Sequence, residues 1–195
     1  MKHIIRILML SVFLYGCSTP VSYVDQQYSK TKYEDITRLV EPLKLKVNVV
    51  FQRNGEPLPA VDNELRGHVE RVLRATGVVV PVSTGTTGEL DVTVNNVADL
   101  AEAAAKGFGT GLTFGVAKSN VTDFYELKAS LRIKEKVIYH NNYKHAIHSS
   151  IGLHDEATSA QGMTPSAAFG KVVEDFILNF IQDFQQANPE MPSGA

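Results

Sequence analysis

The chain has a single cysteine, Cys17, in 195 residues, and it has no tryptophan. One thiol rules out an internal disulfide. No block of like charge stands out: Lys and Arg number 19, Asp and Glu 21, and the formal net charge is −2. That balance argues against nucleic acid as a partner. No stretch reaches the ~18–20 apolar residues of a membrane-spanning helix. G-x-S-x-G and H-E-x-x-H are missing, as are a phosphate loop and a dinucleotide fingerprint. These gaps lower the prior for catalysis and for a bound cofactor, and the expectation is a protein that is not an enzyme. The apolar fraction of 44% and charged fraction of 21% are those of an ordinary globular domain.

What is present begins at the first residue. Residues 1–16, MKHIIRILMLSVFLYG, carry Lys2 and Arg6 and no acid, then an apolar run from Ile7 to Tyr15 broken by Ser11. The run is too short to span a bilayer and has the form of a secretory signal, with small Gly16 before the cut. Cleavage there makes Cys17 the new first residue. Leu14-Tyr15-Gly16-Cys17 resembles the lipobox of bacterial lipoproteins, with Tyr15 standing where a smaller residue is usual. The resemblance implies that the Cys17 thiol becomes a thioether to diacylglycerol and that its freed amine is acylated. Several acyl chains on one residue anchor firmly, since each buried CH₂ contributes about 0.8 kcal/mol. Ser18, rather than Asp, follows the cysteine. By the same resemblance the product faces the periplasm from the inner leaflet of the outer membrane.

The polar stretch 17–41 reads as a lipidated N-terminus and tether, with a helical turn near Asp35–Leu39. Tyr23, Tyr28 and Tyr33 recur every five residues, a period of neither helix nor strand, and receive no role. Residues 42–187 read as one periplasmic α+β domain, and 188–195 as a frayed tail. Within the domain, LKLKVNVVF (43–51) alternates as a strand with one buried face. A helix over about 60–75 follows, with Gly77 as its cap. VVVPV (78–82) reads as a short strand placed at an edge by Pro81. LDVTVNNV (90–97) alternates again, and 98–107 is Ala-rich enough for a short helix. VTDFYELKASLRI and VIYHNNYKHAIHSSIG form a hairpin that turns at 134–136. The last helix starts at Thr164 with Pro165 at its first position. It has a broad apolar face of Phe169, Val172, Val173, Phe176, Ile177, Phe180, Ile181 and Phe184. The expected fold is a mixed sheet of about five strands with two main helices packed on one face. The order also resembles small auxiliary lipoproteins of envelope assembly and transport.

Two clusters bear on function. His140, His145, His148 and His154 gather near Asp155 and Glu156, but on a strand His145 and His148 point to opposite faces. His140 and His148 share a face some 26 Å apart. The reading is a solvated strand face with scattered imidazoles and no metal. The second cluster is 107–116, where Gly107, Gly109, Gly111 and Gly115 fall on odd positions and Phe108, Leu112, Phe114 and Val116 on even ones. It is a loop with its Phe side chains tucked into the core, or a contact segment in which Phe108, Gly109, Gly111, Leu112 and Phe114 meet a partner or lipid. The expected function is an outer-membrane-anchored adaptor subunit of an envelope complex. The alternatives are a carrier of a small ligand or lipid, and a subunit of an oligomeric pore that uses 107–116.

Overall fold

The computed structural model describes residues 20–97, 119–151 and 162–190. Seven strands form one mixed sheet: β1 (Val21–Val24), β2 (Leu43–Arg53), β3 (Glu56–Pro57), β4 (Val79–Pro81), β5 (Gly88–Val97), β6 (Ser119–Ile133) and β7 (Lys136–Ile151). Their order is β1-β7-β6-β5-β2-β3, with β4 beside β2. β2 runs parallel to β4 and β5, and every other pair is antiparallel. Two helices, α1 (Asp62–Thr76) and α2 (Pro165–Ala187), pack on each other, α1 over β2 and β4, α2 over β7 and β1.

The alternation in the sequence sets which face is covered. In β2, Leu45, Val47, Val49 and Phe51 are buried, while Lys44, Lys46 and Val50 are exposed. The pairing register places Leu90, Val92 and Val94 of β5 and Leu127, Ala129 and Leu131 of β6 on the same buried face. Against them α2 lays Phe176, Phe180 and Phe184, each no more than 1% exposed. Burying such a side chain contributes about 1.5–3 kcal/mol, so this layer dominates the stability of the fold. The opposite face is polar toward the β6–β7 turn. Glu89 sits 3.7 Å from Lys46 and 2.8 Å from Arg132, and Arg132 also reaches Asp91 at 2.7 Å. Exposed cross-strand pairs like these contribute a few tenths of a kcal/mol to about 1 kcal/mol each.

The α+β class and the two helices on one face agree with expectation. The strand count is seven rather than about five, because β1 and the two-residue β3 escape a pattern-based reading. The stretch read as a tether is therefore part of the domain from Val21 onward: β1 pairs with β7, and Ser22 exchanges backbone hydrogen bonds with Met163. The turn expected near Asp35–Leu39 falls instead at Tyr33–Asp35, as a single 3₁₀ turn. The hairpin does turn at Lys134 (φ 49°) and Glu135 (φ 64°), a primed two-residue turn built without Asn or Gly. Gly77 ends α1 in the left-handed region at φ 68°, and Thr164 caps α2 by accepting from the Ala167 N–H.

Candidate functional site

α2 is buried nearly all round, and two of its buried positions are polar, Asp175 and Asn179. They share a helix face at i, i+4 spacing. That face continues through Gln182 and Gln185 and meets the strap, residues 25–40, that joins β1 to β2. The Tyr28 carbonyl accepts from Asn179 at 3.3 Å, Thr31 Oγ1 donates to Gln182 at 2.6 Å, and the Thr37 N–H donates to Gln185 at 3.2 Å. Tyr33 donates to Glu174 at 3.1 Å.

The centre of this contact is the Asp175 carboxylate, 1% exposed. Oδ2 accepts from Ser29 Oγ and, at 3.0 Å, from His145 Nε2 on β7, and Lys171 Nζ lies 3.0 Å from Oδ1. Burial pushes the Asp175 pKa up, but the donations from His145, Ser29 and Lys171 outweigh it, and the carboxyl is held below its ordinary range. The Ala146 N–H donates to His145 Nδ1 at 2.9 Å, which leaves the ring proton on Nε2, pointing at Asp175. The Tyr28 ring covers this imidazole with centroids 5.3 Å apart.

Serine, histidine and aspartate together raise the question of nucleophilic catalysis, and the connectivity answers it. In a triad the imidazole stands between hydroxyl and carboxylate and takes the hydroxyl proton. Here the carboxylate stands between the other two, and the second imidazole nitrogen is held by the backbone. Ser29 donates straight to Asp175, a carboxylate whose lowered pKa makes it a weak acceptor of a hydroxyl proton. The arrangement fixes three segments of chain and does not activate an oxygen.

His145 is therefore not one of a set of solvated imidazoles, as its sequence context implied; it is 1% exposed and bonded on both nitrogens. His148 lies on the open face, 3.5 Å from Asp25 and 3.0 Å from Thr122 Oγ1, with the Tyr23 ring at 5.3 Å. The Gln27 N–H, more than His148, draws the Asp25 carboxyl below its ordinary range. His140 is exposed. Among the described residues no three His, Cys, Asp or Glu side chains gather as a metal would require. His154, Asp155 and Glu156, the helix expected over 98–107, Gly16 and Cys17, and the contact candidates Phe108, Gly109, Gly111, Leu112 and Phe114 all lie outside the described residues.

Two clefts accompany this network. One, of about 300 Å³, lies between the strap, β7 and α2 and is lined by Lys30, Lys144, Asn179 and Asp183 among others. On its wall Tyr143 donates to Asp183 at 2.6 Å, and burial with that carboxylate raises the phenol far above its usual pKa. The other, of about 660 Å³, runs between α1 and the end of β4, with Lys46, Arg66, Glu70 and Arg74 on its rim. Arg66 donates to the Val47 carbonyl at 2.6 Å, and Arg74 pairs with Glu70 at 3.2 Å. In this second cleft Glu70 also stands 3.8 Å from Arg66, so both arginines share one carboxylate.

No protein-family model matches the chain, and no curated protein matches it. Solved structures do resemble it. A minor lipoprotein from Acinetobacter baumannii is 12% identical with a TM-score of 0.38, covering 76% of this chain and 97% of that one. A Xanthomonas campestris protein of the DUF330 family is 16% identical with a TM-score of 0.43, covering 78% and 94%. PelC from Paraburkholderia phytofirmans, a dodecamer, is 14% identical with a TM-score of 0.32, covering 80% and 96%. The structural neighbours thus include bacterial lipoproteins, at identities that bear on fold alone.

Proposed function

We propose that this chain is a lipid-anchored envelope protein, held by acylated Cys17 at the periplasmic face of the outer membrane, whose α+β domain acts by binding a protein partner. One observation carries the reading: a basic start, a short apolar run and Gly16-Cys17 stand directly ahead of a folded domain. The domain supports the binding half of it. Its cluster of Ser29, Asp175 and His145 is wired as a lock, and Arg74 on the rim of the α1 cleft is paired with Glu70. A lipid carrier needs an apolar hollow between helix and sheet, and Phe176, Phe180 and Phe184 fill that space. An adaptor needs only an accessible surface on a rigid frame.

Growth of the producing cells with labelled palmitate tests the anchor. Wild type takes up label and fractionates with the outer membrane, and Cys17→Ser does neither. An unlabelled, water-soluble wild type retaining its thiol refutes the anchor. Crosslinking in the native envelope then tests the adaptor role; a wild type that yields only the uncrosslinked monomer counts against it.

A further inference from the structure

The structure limits how far the domain stands from its anchor. β1 starts at Val21, four residues after Cys17. An extended residue spans at most ~3.6 Å, so Val21 lies within ~14 Å of the anchoring residue. Val21 pairs with Ser150 of β7, and Ser150 with Asn120 of β6. The start of β1, the start of β6 and the end of β7 therefore share one end of the sheet. The other end of β6 and β7 is the turn at Lys134 and Glu135. From Phe124 to Ile133 β6 runs nine residues further, or ~30 Å at strand rise. The tether holds only the first of these ends close to the anchoring residue.

That end also carries suitable side chains. On the face that the helices leave open, Val97 pairs with Phe124, and Tyr23 of β1 pairs with His148. Phe124 is 47% exposed, Tyr23 41% and Val97 37%. Further along the same face come Glu126 with Lys144, then Arg132 with Glu89 and Asp91. Aromatic side chains with an apolar body are at home at the boundary of headgroups and acyl chains. Val137 and Ile138, exposed near the far turn, are adjoined by Lys134, Glu135 and Lys136.

We infer that the β1 end of the sheet is seated on the phospholipid surface, with Tyr23, Val97 and Phe124 as the side chains that enter the headgroup region. The inference rests on the anchor at Cys17. The contact is apolar in kind, since the chain is net acidic, so its strength varies little with salt.

The missing tryptophan makes the test clean. Full-length lipidated protein carrying Phe124→Trp, Tyr23→Trp or Val137→Trp is reconstituted into phosphatidylethanolamine–phosphatidylglycerol vesicles with plain or brominated acyl chains. Flotation is scored on the same samples. The Phe124→Trp and Tyr23→Trp reporters lose most of their emission in brominated vesicles and shift to shorter wavelength, while Val137→Trp keeps its emission. Protein that floats with all three reporters unquenched, or all quenched alike, overturns the seating and leaves the anchor standing. Protein that does not float overturns both.

Discussion

Replacing Asp175 by alanine probes the lock between strap, β7 and α2 most directly. The change removes the acceptor for the His145 Nε2–H, whose ring is 1% exposed, and for Ser29 Oγ. Lys171 is spared, because Glu174 Oε1 stands 2.6 Å from it. Losing two hydrogen bonds to a charged acceptor, at about 1.5–3 kcal/mol each, costs about 3–6 kcal/mol. For a domain of this size each kcal/mol moves the melting temperature by about 2–4 °C, so Asp175→Ala is expected to melt lower by about 6–24 °C. Asp175→Asn keeps one acceptor and loses less, about 1–3 kcal/mol.

The acid limb gives a sharper test, because its direction follows from the charge. The folded Asp175 pKa is depressed, so the stability it contributes is complete above the unfolded value of about 3.9. It fades as the pH falls through the lower, folded value. Urea unfolding of wild type and Asp175→Asn should therefore differ most near neutrality and converge in acid. Hydrogen exchange locates the damage: amides of 26–37 should exchange faster in Asp175→Asn, while those of β2 and β5 keep their protection. A difference independent of pH, or an Asp175→Ala cost below about 1 kcal/mol, refutes the lock.

Two further substitutions test the frame. Lys134→Asn with Glu135→Gly gives the primed turn residues suited to φ of 49° and 64°, and should raise stability by about 1–2 kcal/mol in urea unfolding. Alanine at Gly88 and at Gly170 should both destabilise, in a set order. A Cβ at Gly88 would stand 2.1 Å from the Arg132 carbonyl oxygen, which is fixed in β6, whereas at Gly170 it would stand 2.7 Å from the His68 ring, which can turn toward solvent. Denaturation midpoints should put Gly88→Ala at about 2–3 kcal/mol and Gly170→Ala nearer 1 kcal/mol; the reverse order would be inconsistent with this packing.

Most of the sheet and both helices were legible because each carries its own period. β2, β5 and β6 alternate against a covered face, and α1 and α2 repeat at 3.6 residues. What escaped is held by partners remote in sequence. β1 is only VSYV, and its identity as a strand lies in β7, some 125 residues away. The strap packs through Ser29, Thr31, Tyr33 and Thr37, residue types that also compose a solvated tether. One signal for the lock was in plain view. Asp175 and Asn179 interrupt a helix otherwise apolar round most of its circumference, and a charge in such a helix requires a buried partner. The partner, His145, sat among histidines whose spacing excluded a shared metal on one strand face but left unsaid what each of them met.

On the proposed anchoring at Cys17, the pairing of β1 with β7 decides how freely the domain moves. Were β1 and the strap both free, the 26 residues from Cys17 to Leu43 could extend on the order of 90 Å, and the domain would hang on a loose leash. With β1 zipped to β7 and the strap bonded along α2, the free length ends at Val21. The pairing of β1 with β7 thus turns a long tether into a short one, and a short one imposes orientation where a long one imposes only proximity. On the proposed anchoring, a partner would approach the faces turned from the bilayer, either the open sheet face toward Arg132 and Glu89 or the cleft beside α1. On this logic Ser22→Pro, which removes the β1 N–H bonded to the Met163 carbonyl, should leave acylation untouched yet weaken the difference in brominated-lipid quenching between the Phe124→Trp and Val137→Trp reporters. A domain whose orientation is set by the acyl chains alone would show the same difference with β1 displaced.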